Sequence, residues 1–482
     1  PSSGAANERG TVGDLAFMPA LEQAALIRTK ELSPVELVGE YAQRIEELDP
    51  TINAYVTLVL DRAMEQARDA EARVAADEDL PPFHGVPIGI KDLTETAGIR
   101  TTYSTKSAAD LVPEVDAYVV RRIKEAGFII LGKTNTPEFG FPPVTESELN
   151  GICRNPWDTD RTPGGSSGGA AAALAAGMMP VAHGSDGGGS VRIPASCCGL
   201  FGIKPARGRI SMGPMLGEAA QGLATNGSLG RTVRDAAALL DVMSGYETGD
   251  PYWAPEPERP FADEVGADPG RLRIGLATQT PNEVPVDPIC VEAAKDAARL
   301  LESLGHDVEE ASPEMGDPDQ VTASFITLFQ SSASLWQELL DLETVEPLTR
   351  ALAENNAKTS AIEYVNAVVS LHALSRKVIA FWDDYDLLLT PTLAMPPVPV
   401  GWIHEEEDPW AQLVRCGMFV PFTPAFNMTG QPAVSLPLYW SDDDLPIGAQ
   451  LVGRPADETT LIRVSAQVEA ARPWAERRPP LS

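Results

Sequence analysis

Val86-Pro87-Ile88-Gly89-Ile90-Lys91 and Phe128-Ile129-Ile130-Leu131 stand on either side of an amphipathic stretch at 117–126. The two apolar runs are too short for buried helices and read as buried strands, whereas the stretch between them has helical spacing. Strand, helix, strand implies α/β layering, with helices laid over a sheet. Upstream, an apolar stripe at 21–29 and the capping box Ser33-Pro34-Val35-Glu36 start helices, the proline suiting the first helical position. The spacing continues over 35–48, and a more charged, outer helix is expected at 63–76 before Pro81-Pro82 ends it. Downstream, helices are expected at 231–244, 291–304 and through most of 320–382, with a closing helix at 458–471. Arg273-Ile-Gly-Leu276, Leu387-Leu388-Leu389 and Ala433-Val-Ser-Leu436 read as further strands, and 250–270 as a proline-rich surface loop or linker. No internal repeat is present. Because strands bracket the later helices, one α/β domain is expected: a central mixed, twisted β-sheet covered by helices on both sides. Its parts are a helical segment at 1–80, a core at 81–245, and the rest of the sheet at 271–482 with a helical insertion at about 291–382.

The chain has 482 residues, 43% hydrophobic and 22% charged, which excludes a fully disordered polymer. Asp and Glu number 69 against 37 Lys and Arg, a formal charge of −32. Such a polyanion has no electrostatic reason to seek nucleic acid or an anionic membrane surface. No run approaches the roughly 18 apolar residues of a membrane span, and the start, Pro1-Ser-Ser-Gly-Ala-Ala-Asn-Glu-Arg9, has no export pattern. Cys153, Cys197, Cys198, Cys290 and Cys416 are odd in number and lack metal-ligand spacing. A reduced, cytoplasmic interior is expected, with Cys197 and Cys198 as packing thiols. No metal and no cofactor is expected.

Two pattern matches fail on physical grounds. Gly127-Phe-Ile-Ile-Leu-Gly132-Lys133-Thr134 fits a P-loop expression, but a phosphate cradle needs a turning loop that opens into a helix. Here a strand lies between the glycines and Asn135-Thr136-Pro137 follows. Gly165-Ser166-Ser167-Gly168-Gly169 fits a nucleophile elbow, yet no strand precedes it. Of five histidines only His183 is near a serine-rich segment, and a structural role suits it better than that of a base for Ser190. His404 beside Glu405 and Glu406 reads as a solvated acidic loop.

Lysine is the remaining candidate base. Lys91 ends an apolar strand, and lowering its pKa from ~10.4 to 7 by burial costs the ammonium form roughly 4.6 kcal/mol. A structural lysine paired with Asp92 or another acid accounts for the sequence equally well. Gly168-Gly-Ala-Ala-Ala-Ala-Leu-Ala-Ala176 forms a helix whose N-terminal amides follow Ser166 and Ser167. Gly184-Ser-Asp-Gly-Gly-Gly-Ser190 sets three glycines before a serine, a nest of amides suited to an oxyanion.

Gly85-Val-Pro-Ile-Gly-Ile-Lys91-Asp92, Gly164-Gly-Ser-Ser-Gly-Gly169 and Asp186-Gly-Gly-Gly-Ser-Val-Arg-Ile-Pro194 together resemble the amidase signature family. Lys91 and Ser166 are 75 residues apart, and Ser166 and Ser190 are 24 apart, as in that family. Gly132-Lys-Thr-Asn-Thr-Pro-Glu138, Gly202-Ile-Lys-Pro205 and Gly430-Gln-Pro-Ala-Val-Ser435 extend the likeness over nearly the whole chain. The resemblance implies Ser190 as nucleophile and Ser166, after a cis Gly165–Ser166 bond, as proton relay to neutral Lys91. It implies an oxyanion hole from the amides of Gly187, Gly188, Gly189 and Ser190, with Asp186 and Arg192 as the pair that fixes the loop. Relatives usually carry Thr or Ile at the place of Gly187, so this loop is roomier or more mobile here.

Arg154-Asn-Pro-Trp157, Val181-Ala-His-Gly184 and Ser190-Val-Arg-Ile-Pro-Ala195 are most similar to the branch with peptide amidases and nylon-oligomer hydrolases. The length and catalytic positions also resemble metagenome-derived urethanases. The implied substrate is a small-molecule amide or carbamate, such as an anilide or aryl carbamate, cleaved by a monomer or homodimer. Alternatives are a peptide C-terminal amidase, the amidase subunit of a tRNA-dependent amidotransferase, and an inactive binding protein on the same fold. Segments 207–230 and 402–426 are expected to form a flexible apolar rim over the site.

Overall fold

An 11-stranded mixed sheet runs through the described residues of the computed structural model, which are 15–280 and 282–482. The Pro1–Arg9 start lies outside them. In chain order the strands are β1 (Tyr55–Leu58), β2 (Pro87–Lys91), β3 (Ile129–Thr134), β4 (Val181–Asp186), β5 (Phe201–Lys204), β6 (Thr225–Gly230), β7 (Arg273–Leu276), β8 (Asp307–Glu310), β9 (Leu387–Pro391), β10 (Ala433–Trp440) and β11 (Pro446–Val452). They lie side by side as β1-β3-β2-β4-β6-β5-β10-β11-β9-β7-β8. β2 pairs in parallel with β3 and β4, and β7 in parallel with β8 and β9, while the other neighbours are antiparallel. The fold is thus a single α/β domain whose large mixed sheet is flanked by helices.

Local chemistry accounts for the helices around the site. α1 (Pro34–Ile52) begins at Ser33, whose side chain accepts from the amides of Val35 and Glu36 while Glu36 returns the bond. α2 (Tyr118–Glu125) turns Val119, Val120 and Ile123 inward and links β2 to β3 by the crossover that parallel strands require. α3 (Gly168–Ala175) is buried along all eight residues. Only glycine and alanine flank its one leucine, so it can lie against backbone: a Cβ on Gly169 would stand 2.5 Å from the Ala54 carbonyl oxygen. α4 (Arg192–Cys198) follows the glycine loop and packs on β10 and β11. α5 (Val233–Met243) and the closing helix Glu458–Ala471 pack on each other. Ile88, Ile90, Leu131, Ala172, Leu229, Val434 and Leu451 belong to one buried cluster, in which a fully buried aliphatic side chain contributes about 1.5–3 kcal/mol.

Two expectations need correction. Thr225–Gly230, assigned above to a mobile rim, is a fully buried strand in the middle of the sheet. Its sequence, Thr-Asn-Gly-Ser-Leu-Gly, has one large apolar residue and no alternation. It is held by pairing on both edges, to β4 and β5, so periodicity could not reveal it. The helical insertion is also shorter than 291–382. Asp307–Glu310 forms the edge strand β8, polar because one side faces solvent, and helix Pro288–Ser303 packs on β11. The run free of strands is Pro318 to Asp383, whose three α-helices are Pro318–Ser331, Pro347–Asn356 and Ala361–Ile379; Leu371, Leu374 and Val378 share a buried cluster with Leu388 and Val452 of the sheet.

Candidate active site

β2 and β4 are parallel neighbours and end on the same side of the sheet, at Lys91 and Asp186. Crevices beyond such strand ends are the usual ligand sites of α/β sheets. The 163–167 loop, whose Gly165–Ser166 peptide bond is cis, runs past these ends into α3, and the 187–191 turn leads from β4 into α4. Lys91 Nζ lies 2.7 Å from Ser166 Oγ, 3.0 Å from Ser185 Oγ and 3.3 Å from the Ser185 carbonyl oxygen. Lys91 is wholly buried, and no carboxylate lies within ion-pair distance of its amine among the described residues. Asp92, the alternative partner, instead accepts from the backbone N–H and hydroxyl of Thr102. Burial therefore dominates and lowers the Lys91 pKa to about 7, with the charge of Asp186 opposing it only in part.

Asp186 and Arg192 form a bidentate pair, at 3.0 and 2.9 Å, with both side chains fully buried. Burial alone would raise the Asp186 pKa, but the charge and hydrogen bonds of Arg192 outweigh it and hold the carboxyl well below the usual range. The guanidinium also donates to the Thr423 carbonyl, Gln450 Oε1 and Asn427 Oδ1, which ties the loop to the far half of the chain. Asn427 Nδ2 in turn donates to the carboxylate and carbonyl of Asp186 and to the Leu223 carbonyl.

The four amides named for an oxyanion are not equivalent. Gly189 N–H donates to Asp186 Oδ1 at 2.8 Å, so Gly189 must be removed from the expected set. Among the described residues the N–H groups of Gly187, Gly188 and Ser190 have no hydrogen-bond partner. Gly189 is needed for its shape: its φ is 132°, and a Cβ there would meet the Thr423 side chain, 2.7 Å from Cβ. A Cβ on Gly187 or Gly188 would meet only Ala224 at 3.6 Å or Phe325 at 3.7 Å, ordinary contacts. Gly189→Ala is therefore expected to destabilise by about 1–3 kcal/mol and to disorder the loop, whereas Gly188→Ala keeps the wild-type Tm. Equal melting temperatures for the two variants would contradict this account of the turn.

The amidase family model matches residues 36–462. The chain belongs to the amidase signature family. It is 42% identical to a putative amidase, AmiB2, of Mycobacterium tuberculosis (strain ATCC 25618 / H37Rv) over 97% of this chain and 99% of the relative. It superposes on the solved 6-aminohexanoate cyclic dimer hydrolase with a TM-score of 0.90 and 37% identity, covering 97% of this chain and 99% of that one. A bacterial aryl acylamidase follows at 0.87 and 29%, covering 96% and 98%.

In this amidase signature enzyme, Ser166, Ser185, Gly187, Gly188 and Ser190 all line one cavity of about 330 Å³. Ser190 Oγ makes no hydrogen bond among the described residues, and none joins it to Ser166. The cavity walls are mostly apolar. Segment 207–230 contributes Met212, Leu216 and Ala220, and 402–426 contributes Leu413, Cys416 and Val420. Sequence reasoning missed the third wall, Phe325, Phe329 and Trp336 of the helical insertion, whose rings give no local sign of which cavity they face. It also missed Ser185, whose one hint is its place directly before Asp186, and Thr423, whose hydroxyl donates to the Gly188 carbonyl at 2.6 Å.

The rejected candidates have other partners. His183 sits 3.0 Å from Asn226 Oδ1 and accepts the Lys91 backbone N–H at 3.4 Å. Burial lowers its pKa to about 4, so the ring is neutral, and both its nitrogens are engaged by partners other than Ser190. Lys133 of the P-loop match donates to Thr96 and Thr101, on a strand rather than a cradle. Ser167 donates to the Ser185 carbonyl at 3.1 Å. Cys197 and Cys198 are buried free thiols. No metal-binding group of three or more His, Cys, Asp or Glu occurs among the described residues, and no described helix is long and apolar enough to cross a membrane.

Proposed function

We propose that the enzyme hydrolyses C–N acyl bonds of apolar amides and carbamates, anilides and aryl carbamates foremost, through an acyl-enzyme on Ser190. The observation that carries this reading is an amine with pKa about 7, in hydrogen-bond reach of the Ser166 hydroxyl, beside a cavity that also holds Ser190 and unengaged amides. Neutral Lys91 has two N–H bonds for Ser185 and a lone pair to accept the Ser166 O–H. Substrate binding draws the Ser190 hydroxyl toward Ser166, which catalytic hydrogen bonds often await in the free enzyme. Ser190 Oγ then attacks the carbonyl carbon as its proton passes to Ser166 and the Ser166 proton to Lys91. The oxyanion takes up the N–H groups of Gly187, Gly188 and Ser190, each worth about 10²–10³ in rate. When the C–N bond breaks, Lys91 returns the proton through Ser166 to the departing nitrogen. Water, deprotonated by the same relay, releases the acid. From a carbamate the acyl-enzyme is a carbonate ester, and the released half-ester loses carbon dioxide to leave the alcohol.

The solved relatives at 0.90 and 0.87, named a 6-aminohexanoate cyclic dimer hydrolase and an aryl acylamidase, support amides as the class. The bare Gly187 and the aromatic wall leave room for an aryl group. Among the described residues that line the cavity no Lys, Arg or His is present to take an α-carboxylate, which weighs against glutamine, the substrate an amidotransferase subunit would need. A panel of matched para-nitroanilides, aryl carbamates and glutamine tests the reading with the chain alone. Turnover of the anilides and carbamates is expected, and ammonia release from glutamine with neither aryl class cleaved would overturn it.

A further inference from the structure

Among the described residues that line the cavity, Glu95 alone carries a formal charge. Its Oε1 accepts the Tyr103 hydroxyl at 2.8 Å, while Oε2 accepts nothing and no Lys, Arg or His stands within ion-pair distance among the described residues. A half-buried carboxylate on a largely apolar wall loses part of its hydration and regains from the protein only the Tyr103 hydroxyl and the charge of Lys133 beyond ion-pair distance, so Oε2 stays open to a donor that arrives with the ligand. The Tyr103 ring continues the carboxylate into an aromatic surface: its centroid is 4.6 Å from that of Trp336, which lies 6.1 Å from Phe139, and both Trp336 and Phe139 face the cavity. A fixed anion beside aromatic faces is the combination that holds an ammonium group, through one charge-assisted hydrogen bond and the ring quadrupoles. The formal charge of −32 on the whole chain favours the approach of cations as well.

We propose that Glu95, with the Tyr103–Trp336–Phe139 surface, forms an ammonium subsite within the cavity. The enzyme then prefers amides bearing a primary ammonium group several bonds from the scissile carbonyl over neutral amides of equal length. The inference rests on the cavity being the substrate site of the proposed hydrolase. Binding can be read without turnover: titration calorimetry with hexylammonium and, as its neutral counterpart, hexanol. The wild type is expected to bind hexylammonium the more tightly, and Glu95→Gln to weaken that binding by about ten-fold or more while hexanol follows no such loss. Tyr103→Phe, which frees the carboxylate but keeps its charge, is expected to lose less. Turnover is then compared between ω-aminoacyl and plain acyl para-nitroanilides, and their kcat/KM ratio should fall by about the same factor in Glu95→Gln. Equal hexylammonium affinity in wild type and Glu95→Gln would overturn the subsite. Failure of the wild type to cleave any anilide would instead strike the hydrolase reading, with the calorimetric result standing apart from it.

Discussion

Ser190→Ala is expected to lower kcat by at least about 10⁴-fold with no loss of Tm, read on whichever anilide or carbamate the wild type turns over best. The size follows from chemistry. Without Ser190 Oγ no acyl-enzyme forms, and direct attack by water keeps only binding and the oxyanion amides. The unchanged Tm follows from position, since the Ser190 hydroxyl holds no hydrogen bond among the described residues and removing it leaves no buried group unpaired. A residual rate within ten-fold of the wild type would mean that another group attacks the carbonyl.

Lys91→Met should produce a loss of similar order, because residues that act as one relay fail together. Stability should move the other way. The folded-state pKa of Lys91, about 7, lies below the value near 10.5 of a free lysine. The unfolded chain therefore binds more protons between these values, and the stabilising share of Lys91 fades as pH falls from about 10.5 toward 7. At neutral pH the buried amine destabilises the fold, so an apolar side chain of similar length is expected to raise Tm or leave it unchanged. A Tm well below the wild type, with activity falling only in proportion to unfolded protein, would return Lys91 to the structural role that the sequence alone left open.

The parts of this molecule that were legible beforehand share a physical trait: their signals are local. Ser33 and Glu36 cap a helix three residues apart, β2 and β3 are short apolar runs, and the helix at Glu458–Ala471 carries its spacing within itself. The glycine and serine loops were visible for the same reason, since a nest of amides is written in consecutive residues. What remained hidden depends on distant partners. β6 is a strand only because β4 and β5 flank it. The engagement of Gly189 was invisible because it depends on how the Asp186 carboxylate is turned, and that is fixed by Arg192 and by Asn427, 241 residues away. The aromatic wall is Phe329 and Trp336 meeting Phe141, Phe139 and Tyr103 across 188 to 233 residues of chain.

The central claim is that an uncharged Lys91 draws the proton from Ser190 through Ser166. The rate at which a fluorophosphonate labels Ser190, followed against pH in the wild type and in Lys91→Met, tests it without reference to any substrate. The wild-type rate should rise with unit slope, level off above about pH 7, and fall by orders of magnitude in the variant. A wild-type rate indifferent to pH, or a variant labelled as fast as the wild type, would contradict it.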